Sequence, residues 1–249
     1  MRYTTAIFDL DGTITDSGQG IMNAIRYAVK KHALPEISDE VLRSFIGPPL
    51  KEQFQSVFGL SEEEGVVMVS TYREYYSDKG IFENRVYDGV PEMLEGLKTA
   101  GIRILMATSK PEKYAKQIAE HFGFDKYFDF IGGACMDGRR TDKYEVIEYV
   151  LESCAVARET AVMIGDRSHD VTGAKKAGLN SIGVLYGYGS KEELEMAGAG
   201  ELAVLSSPVY CLIIICVCKI NSNSCYIFSV NEKCKKHALR FGNFMLNCF

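Results

Sequence analysis

The sequence has no excess of positive charge: 28 Lys and Arg stand against 33 Asp and Glu in 249 residues, for a net charge of -5. That balance offers no general attraction to nucleic acid or to an anionic membrane, so an anionic ligand has to be held by local charges. The opening MRYTTAIFDLDG meets acidic residues within a short apolar stretch and lacks the long apolar region of a secretory signal, which predicts a cytoplasmic protein. No membrane association is expected either, because the longest late apolar run, residues 209–218, ends at Lys219, far short of the roughly 20 residues a helical span needs. Zinc-site spacing is missing among the eight cysteines: Cys216 and Cys218 form a C-x-C pair with no second pair at a matching distance. They read as reduced thiols. Internal repeats and low-complexity segments are also lacking.

What is present is enough apolar material, 47% of residues, for one full core, or one core with a smaller appended domain, without help from disulfides or metals. The first apolar run, residues 4–10, is short and ends in Asp-Gly, as suits a buried strand delivering a loop at its C-terminal end. Further strand-like runs cover 102–107, 128–132, 161–164 and 180–184, and helical patterns cover 91–100, 113–122, 143–153 and 171–178. This alternation predicts an α/β fold: a parallel sheet with helices on both faces and a site outside the carboxyl ends of the strands. Residues 17–82 break the rhythm with successive helical patterns at 18–32, 38–45, 50–58 and 61–80. They predict an all-helical insertion, hinged near Asp16 and Glu83, that opens and closes over the site.

Four groups of residues follow strand-like runs. Asp9 and Asp11, in Asp9-Leu10-Asp11-Gly12-Thr13, alternate onto one side of an extended chain. There they could share a magnesium ion or divide nucleophilic and acid-base roles, with Gly12 permitting the turn. An acidic turn that caps the next element is the structural alternative. Thr108 and Ser109 bring hydroxyls to a strand end beside a helix start, as suits phosphate oxygens or plain capping. Lys143 follows a basic turn at a helix start, where it could neutralise a phosphate or remain a solvated surface lysine. Asp166 and Asp170, four residues apart, could complete a hard oxygen-ligand site with Asp9, and His169 between them suits magnesium poorly.

In this order and at these positions, the four groups resemble the haloacid dehalogenase superfamily over residues 1–205. The resemblance implies a Rossmann-like core from residues 1–16 and 83–207, with a C1-type helical cap from 17–82. It implies Asp9 as nucleophile and Asp11 as general acid and base. Thr108 and Lys143 would bind the phosphoryl group, with Gly12, Thr13 and Ser109 lining its site. Magnesium would be held by Asp9, Asp166, the main-chain carbonyl of Asp11 and, directly or through water, Asp170. Asp11 separates phosphatases from dehalogenases in such proteins, since attack on carbon needs no acid to protonate an alkoxide.

The partner implied is a small phosphorylated metabolite, bound by a monomer or homodimer. The cap loop Gly47-Pro48-Pro49-Leu50-Lys51 is similar to that of phosphoglycolate phosphatases and bacterial 5'-nucleotidase-like members, so Gly47, Pro48 and Lys51 become candidate substrate contacts, with Arg26 and Arg43 beside them. A phosphomutase of the β-phosphoglucomutase type and a non-catalytic binding module remain alternatives on the same fold. After about residue 205 the resemblance stops. Residues 209–249 hold five Lys or Arg, one Glu and six of the cysteines, a charge of +4, so the preceding body carries -9. Residues 208–249 are therefore expected to be an atypical tail dispensable for chemistry, with 209–218 as a replacement strand.

Overall fold

The computed structural model describes residues 3–203. The expectations for the tail, including the strand at 209–218, lie outside the described residues. In chain order the elements are β1 (Thr5–Phe8), β2 (Thr15–Asp16), α1 (Gly18–Lys31), α2 (Asp39–Arg43), α3 (Leu50–Phe58), α4 (Glu62–Tyr75) and a π-helical turn at Tyr76–Gly80. Then come β3 (Arg85–Val86), α5 (Val90–Thr99), β4 (Arg103–Pro111), α6 (Glu112–Phe122), β5 (Phe130–Ala134) and α7 (Lys143–Ser153). The series ends with β6 (Ala161–Gly165), α8 (Ser168–Lys176), β7 (Asn180–Val184), α9 (Lys191–Ala197) and β8 (Glu201–Ala203).

Strands pair in parallel in the order β5-β4-β1-β6-β7-β8. The expected parallel α/β sheet is thus present, with β1 at its centre. Both faces of the central strands are covered, which is why they read as continuous apolar runs rather than alternating ones. Alternation of side chains nevertheless divides two packed clusters. Ala6, Phe8, Ile104, Met106, Val162 and Ile164 face one cluster, which continues into the helices of residues 18–80. Ile7, Leu105, Ala107 and Met163 face the other, against Val146, Ile147 and Val150 of α7 and Ala174 of α8. Phe8 is in register with Met106 on one side and Ile164 on the other, so the chain segments following β1, β4 and β6 emerge together. Strand order reverses here, which is where such sheets open a crevice.

The helical segment leaves and rejoins the sheet through a two-stranded antiparallel ribbon, in which Thr15 pairs with Val86 and Asp16 with Arg85. Its helices carry local stop and start signals. Gly59 ends α3 in the left-handed conformation, and Ser61 and Glu64 form a reciprocal capping box at the start of α4. The last turn of the segment is π-helical rather than a continuation of the helix expected through residue 80. Two glycines make that crossing possible: a Cβ on Gly20 would lie 1.9 Å from the Gly80 carbonyl oxygen, so α1 and the π turn touch through backbone. The short strands β2, β3 and β8 and the helix α9 are absent from the sequence-based expectation, being two, two, three and seven residues long. Elements of that size carry too few periods to be recognised. Cys135 and Cys154 are free thiols.

Candidate active site

Asp9 is the first residue beyond β1, and its N–H donates to Ile164 O at 2.9 Å, which fixes it to β6. Its carboxylate is buried. Lys143 Nζ, at the first position of α7, lies 2.8 Å from Asp9 Oδ1 and 2.8 Å from Asp170 Oδ1, and donates to Ala107 O at 3.2 Å. Lysine here is not a solvated surface residue. Burial acts against its charge, but the carboxylates of Asp170 and Asp9 more than offset this and raise its pKa above the ordinary amine value.

Asp166, fully buried, follows β6. Its Oδ1 accepts from Thr13 Oγ1 at 3.1 Å and its Oδ2 from the Tyr188 N–H at 2.7 Å. Asp170 Oδ2 accepts from the Arg167 N–H at 3.0 Å, which turns the other oxygen toward Lys143. Oxygens of Asp9, Asp166 and Asp170 lie within 4.8 Å of one another. Crowding three carboxylates has an electrostatic signature: burial, reinforced by Asp170 and Asp9, pushes Asp166 well above the carboxylate range. Asp170 is pushed up to about 6 by burial, with Lys143 pulling the other way. One ammonium cannot balance three negative charges, and an all-oxygen donor set of this kind fits a hard divalent cation. His169 stands outside the cluster, its pKa lowered by burial and by Arg167 and Lys143.

Two glycines let the loops close on Asp166. Gly12 has φ +81, and a Cβ there would fall 2.1 Å from Asp166 Oδ2; a Cβ on Gly187 would fall 2.3 Å from Asp166 Cβ. Gly187 and Tyr188 have no place in the expected site, although the run Tyr186-Gly187-Tyr188-Gly189 was a visible signal of close backbone approach.

Asp11 stands apart from Asp9 in its side-chain contacts. Its carboxylate is absent from the three-aspartate cluster and pairs instead with Lys110, Oδ2 to Nζ at 3.0 Å. The cause is local: β1 has ended at Phe8, and the chain turns through Leu10 so that Gly12 N bonds Thr15 O and Ile14 and Thr15 N–H groups bond Leu10 O. Thr108 is buried, and its hydroxyl accepts the Lys110 N–H at 3.2 Å. Ser109 is partly exposed beside it. Of the loop candidates, Gly47 abuts Arg167, whose guanidinium donates to Ile46 O and, through Nε, to Glu193 Oε1 at 2.9 Å. Pro48 is half-buried in the same loop. Lys51 pairs with Glu62 and Arg26 with Asp39, both on the helical segment. Arg43 lines a cleft of about 550 Å³ at the ribbon, with Asp16, Arg85 and Tyr188.

The pattern describing haloacid dehalogenase-like hydrolases matches residues 6–184, which include every aspartate discussed here. The chain is 44% identical over 194 residues to a 5'-nucleotidase of Pseudomonas aeruginosa, covering 78% of this chain and 88% of that one. It is 40% identical over 190 residues to the tyrosine-protein kinase PtkA of Mycobacterium tuberculosis, covering 76% of this chain and spanning 64% of that protein. A solved structure described as a predicted phosphatase from Clostridium acetobutylicum superposes with a TM-score of 0.82 at 44% identity, over 86% of this chain and 99% of the other. Among the described residues no helix is long and apolar enough to cross a membrane.

Proposed function

This chain belongs to the haloacid dehalogenase-like hydrolase family and is a phosphatase, and we propose that it hydrolyses small phosphomonoesters with magnesium through an aspartyl-phosphate on Asp9. The observation that carries the reading is the buried Asp9 carboxylate, set at the carboxyl end of the central strand between Lys143 and the Asp166–Asp170 pair.

Asp9, Asp166 and Asp170, with the main-chain carbonyl of Asp11, would hold the magnesium ion. When bound it screens the substrate's negative charge and stabilises charge developing on the phosphoryl oxygens. Lys143 holds Asp9 in one orientation and offsets its charge, so the carboxylate meets a phosphate without unopposed repulsion. Thr108 offers its hydroxyl hydrogen to a phosphoryl oxygen while its oxygen accepts the Lys110 N–H. A carboxylate oxygen of Asp9 attacks phosphorus as the ester P–O bond breaks, and Asp11 gives its proton to the departing oxygen. Asp11 then takes a proton from the water that attacks the aspartyl-phosphate, which frees inorganic phosphate and restores Asp9. Residues 17–82 act as the cap, with the loop at 45–51 selecting what enters. Phosphoglycolate and nucleoside 5'-monophosphates are the leading substrates, the second supported by the relative named a 5'-nucleotidase.

The test is Asp9→Asn beside Asp11→Asn, assayed with magnesium on a panel of phosphorylated metabolites and probed by mass spectrometry for a phosphorylated protein. Asp9→Asn is expected to be inert and unlabelled, whereas Asp11→Asn traps label and turns over slowly. Turnover by Asp9→Asn above a small percentage of wild type, with deamidation excluded, removes Asp9 from the nucleophile role.

A further inference from the structure

None of the steps above uses Lys110, yet its ammonium sits beside Asp11 with the side chain only 6% exposed. Several contacts hold it there. Its N–H is tied to Thr108 Oγ1 at the end of β4, and its Nζ donates to Tyr76 OH in the π turn at 2.6 Å, with the Tyr76 ring centroid 4.7 Å away. Tyr72 stacks on Tyr76 at 5.1 Å and Tyr114 meets it edge-on at 5.7 Å, so the cation is set against a wall of phenols. Burial, with the Asp11 charge adding to it, holds the Tyr76 phenol in its protonated form. Tyr76 therefore adds no negative charge beside Lys110.

Two open valences remain. An ammonium has three N–H donors, and Lys110 meets two polar partners, Asp11 Oδ2 and Tyr76 OH, with no third among the described residues. Asp11 Oδ1 is buried and has no hydrogen-bond partner among the described residues. In the proposed reaction the leaving oxygen has to reach Asp11. The atoms bonded to that oxygen then come within reach of the free Lys110 donor.

We propose that Lys110 is a specificity-determining residue that binds a negative charge on the leaving fragment, a carboxylate or a second phosphate carried within a few bonds of the scissile oxygen. The inference rests on the assignment of Asp9 and Asp11 given above. It favours phosphoglycolate-like substrates over nucleoside monophosphates, whose leaving fragment is uncharged. A fragment without the anion leaves a buried charged donor unmet, and sites built around such a donor discriminate strongly against the analogue that lacks its partner.

Matched substrates test this. 2-Phosphoglycolate is compared with 2-hydroxyethyl phosphate, which has a hydroxymethyl group in place of the carboxylate, and pyrophosphate with methyl phosphate. In the wild type kcat/KM is expected to favour the anionic member of at least one pair by about tenfold or more, about 1.4 kcal/mol. The first pair reports a carboxylate partner and the second a phosphate. Lys110→Met is expected to bring the ratio to about twofold or less, and Lys110→Arg to keep most of it. Calorimetric binding of 3-phosphonopropionate against propylphosphonate should follow the same ratios without turnover. Wild-type ratios near one, or equal loss on both members of each pair in Lys110→Met, overturn the proposal. If the Met variant does not fold, Lys110→Gln and the wild-type ratios decide it. Persistent turnover by Asp9→Asn would instead overturn the parent reading, so the two failures are distinguishable.

Discussion

Replacing Lys143 with methionine keeps an unbranched side chain in the same cavity and removes the ammonium that lies 2.8 Å from both Asp9 Oδ1 and Asp170 Oδ1. Removing one partner of a buried ion pair costs about 3–5 kcal/mol, because the other charge stays buried without compensation. Two carboxylates lose their cation here, yet the cost does not double. Asp170 already titrates at about 6 with Lys143 present, through burial first of all, so without the lysine it binds a proton near neutrality instead of remaining a bare charge. The sign follows from linkage. Its folded pKa lies above the ordinary carboxylate value, so stability is lost as pH rises from about 4 through that folded pKa. The deficit of Lys143→Met is therefore smaller at pH 5 than at pH 8, where it reaches about 3–5 kcal/mol, a fall in Tm on the order of 10 °C for a chain of this size. Urea unfolding in chelator, followed by far-UV circular dichroism because the chain has no tryptophan, measures it at both pH values. A variant within about 1 kcal/mol of wild type at pH 8, or one with the same deficit at pH 5, refutes the reasoning.

Gly12→Ala forces a side chain into left-handed backbone, at about 1–2 kcal/mol, and against Asp166, so turnover should fall at least about 100-fold while far-UV dichroism is retained; near-normal kcat contradicts the close approach. Arg167→Ala removes the donor to Ile46 O and the partner of Glu193, and should speed proteolytic cleavage within residues 17–84 several-fold; an unchanged cleavage pattern means that Arg167 does not hold the loop. Tyr188→Phe loses the hydroxyl that donates to Asp16 Oδ1 at 2.8 Å and accepts from the Gly18 N–H at 2.7 Å, for a loss of about 1–3 kcal/mol in urea unfolding. Magnesium should be required for turnover: chelation should abolish it and excess calcium suppress it, and full activity in chelator sinks the metal assignment.

The central strands were legible because Ala6 to Phe8, 104–107 and 161–164 are apolar on both faces, a pattern that parallel sheets impose. Helices α3 and α7 matched the expected limits, 50–58 and 143–153, because each opens on a local signal, Pro49 in one case and the Asp142 cap in the other. The pairing of Asp11 with Lys110 was not legible. Alternation assumes an extended chain, and the chain stops being extended at Asp9; the partner lies 99 residues on and is fixed by the register of β4 against β1. The π turn that presents Tyr76 escaped for a similar reason, since one inserted residue per turn leaves the apolar period almost unchanged. The pairing of Lys51 with Glu62 was not legible either, because the two residues lie on successive helices.

The ribbon that joins Thr15 to Val86 has an engineering consequence. Paired strands lie about 5 Å apart, so the chain that departs at Asp16 returns beside itself at Arg85. To the sheet, everything between those residues is equivalent to a hairpin turn, and exchanging it alters the closure entropy only with the logarithm of its length. The segment can accordingly be treated as a cassette. A helical segment from a relative can be spliced at the same two points, whereas a bare two-residue turn in place of residues 17–84 would uncover the core that Ala6, Phe8, Ile104 and Ile164 share with those helices.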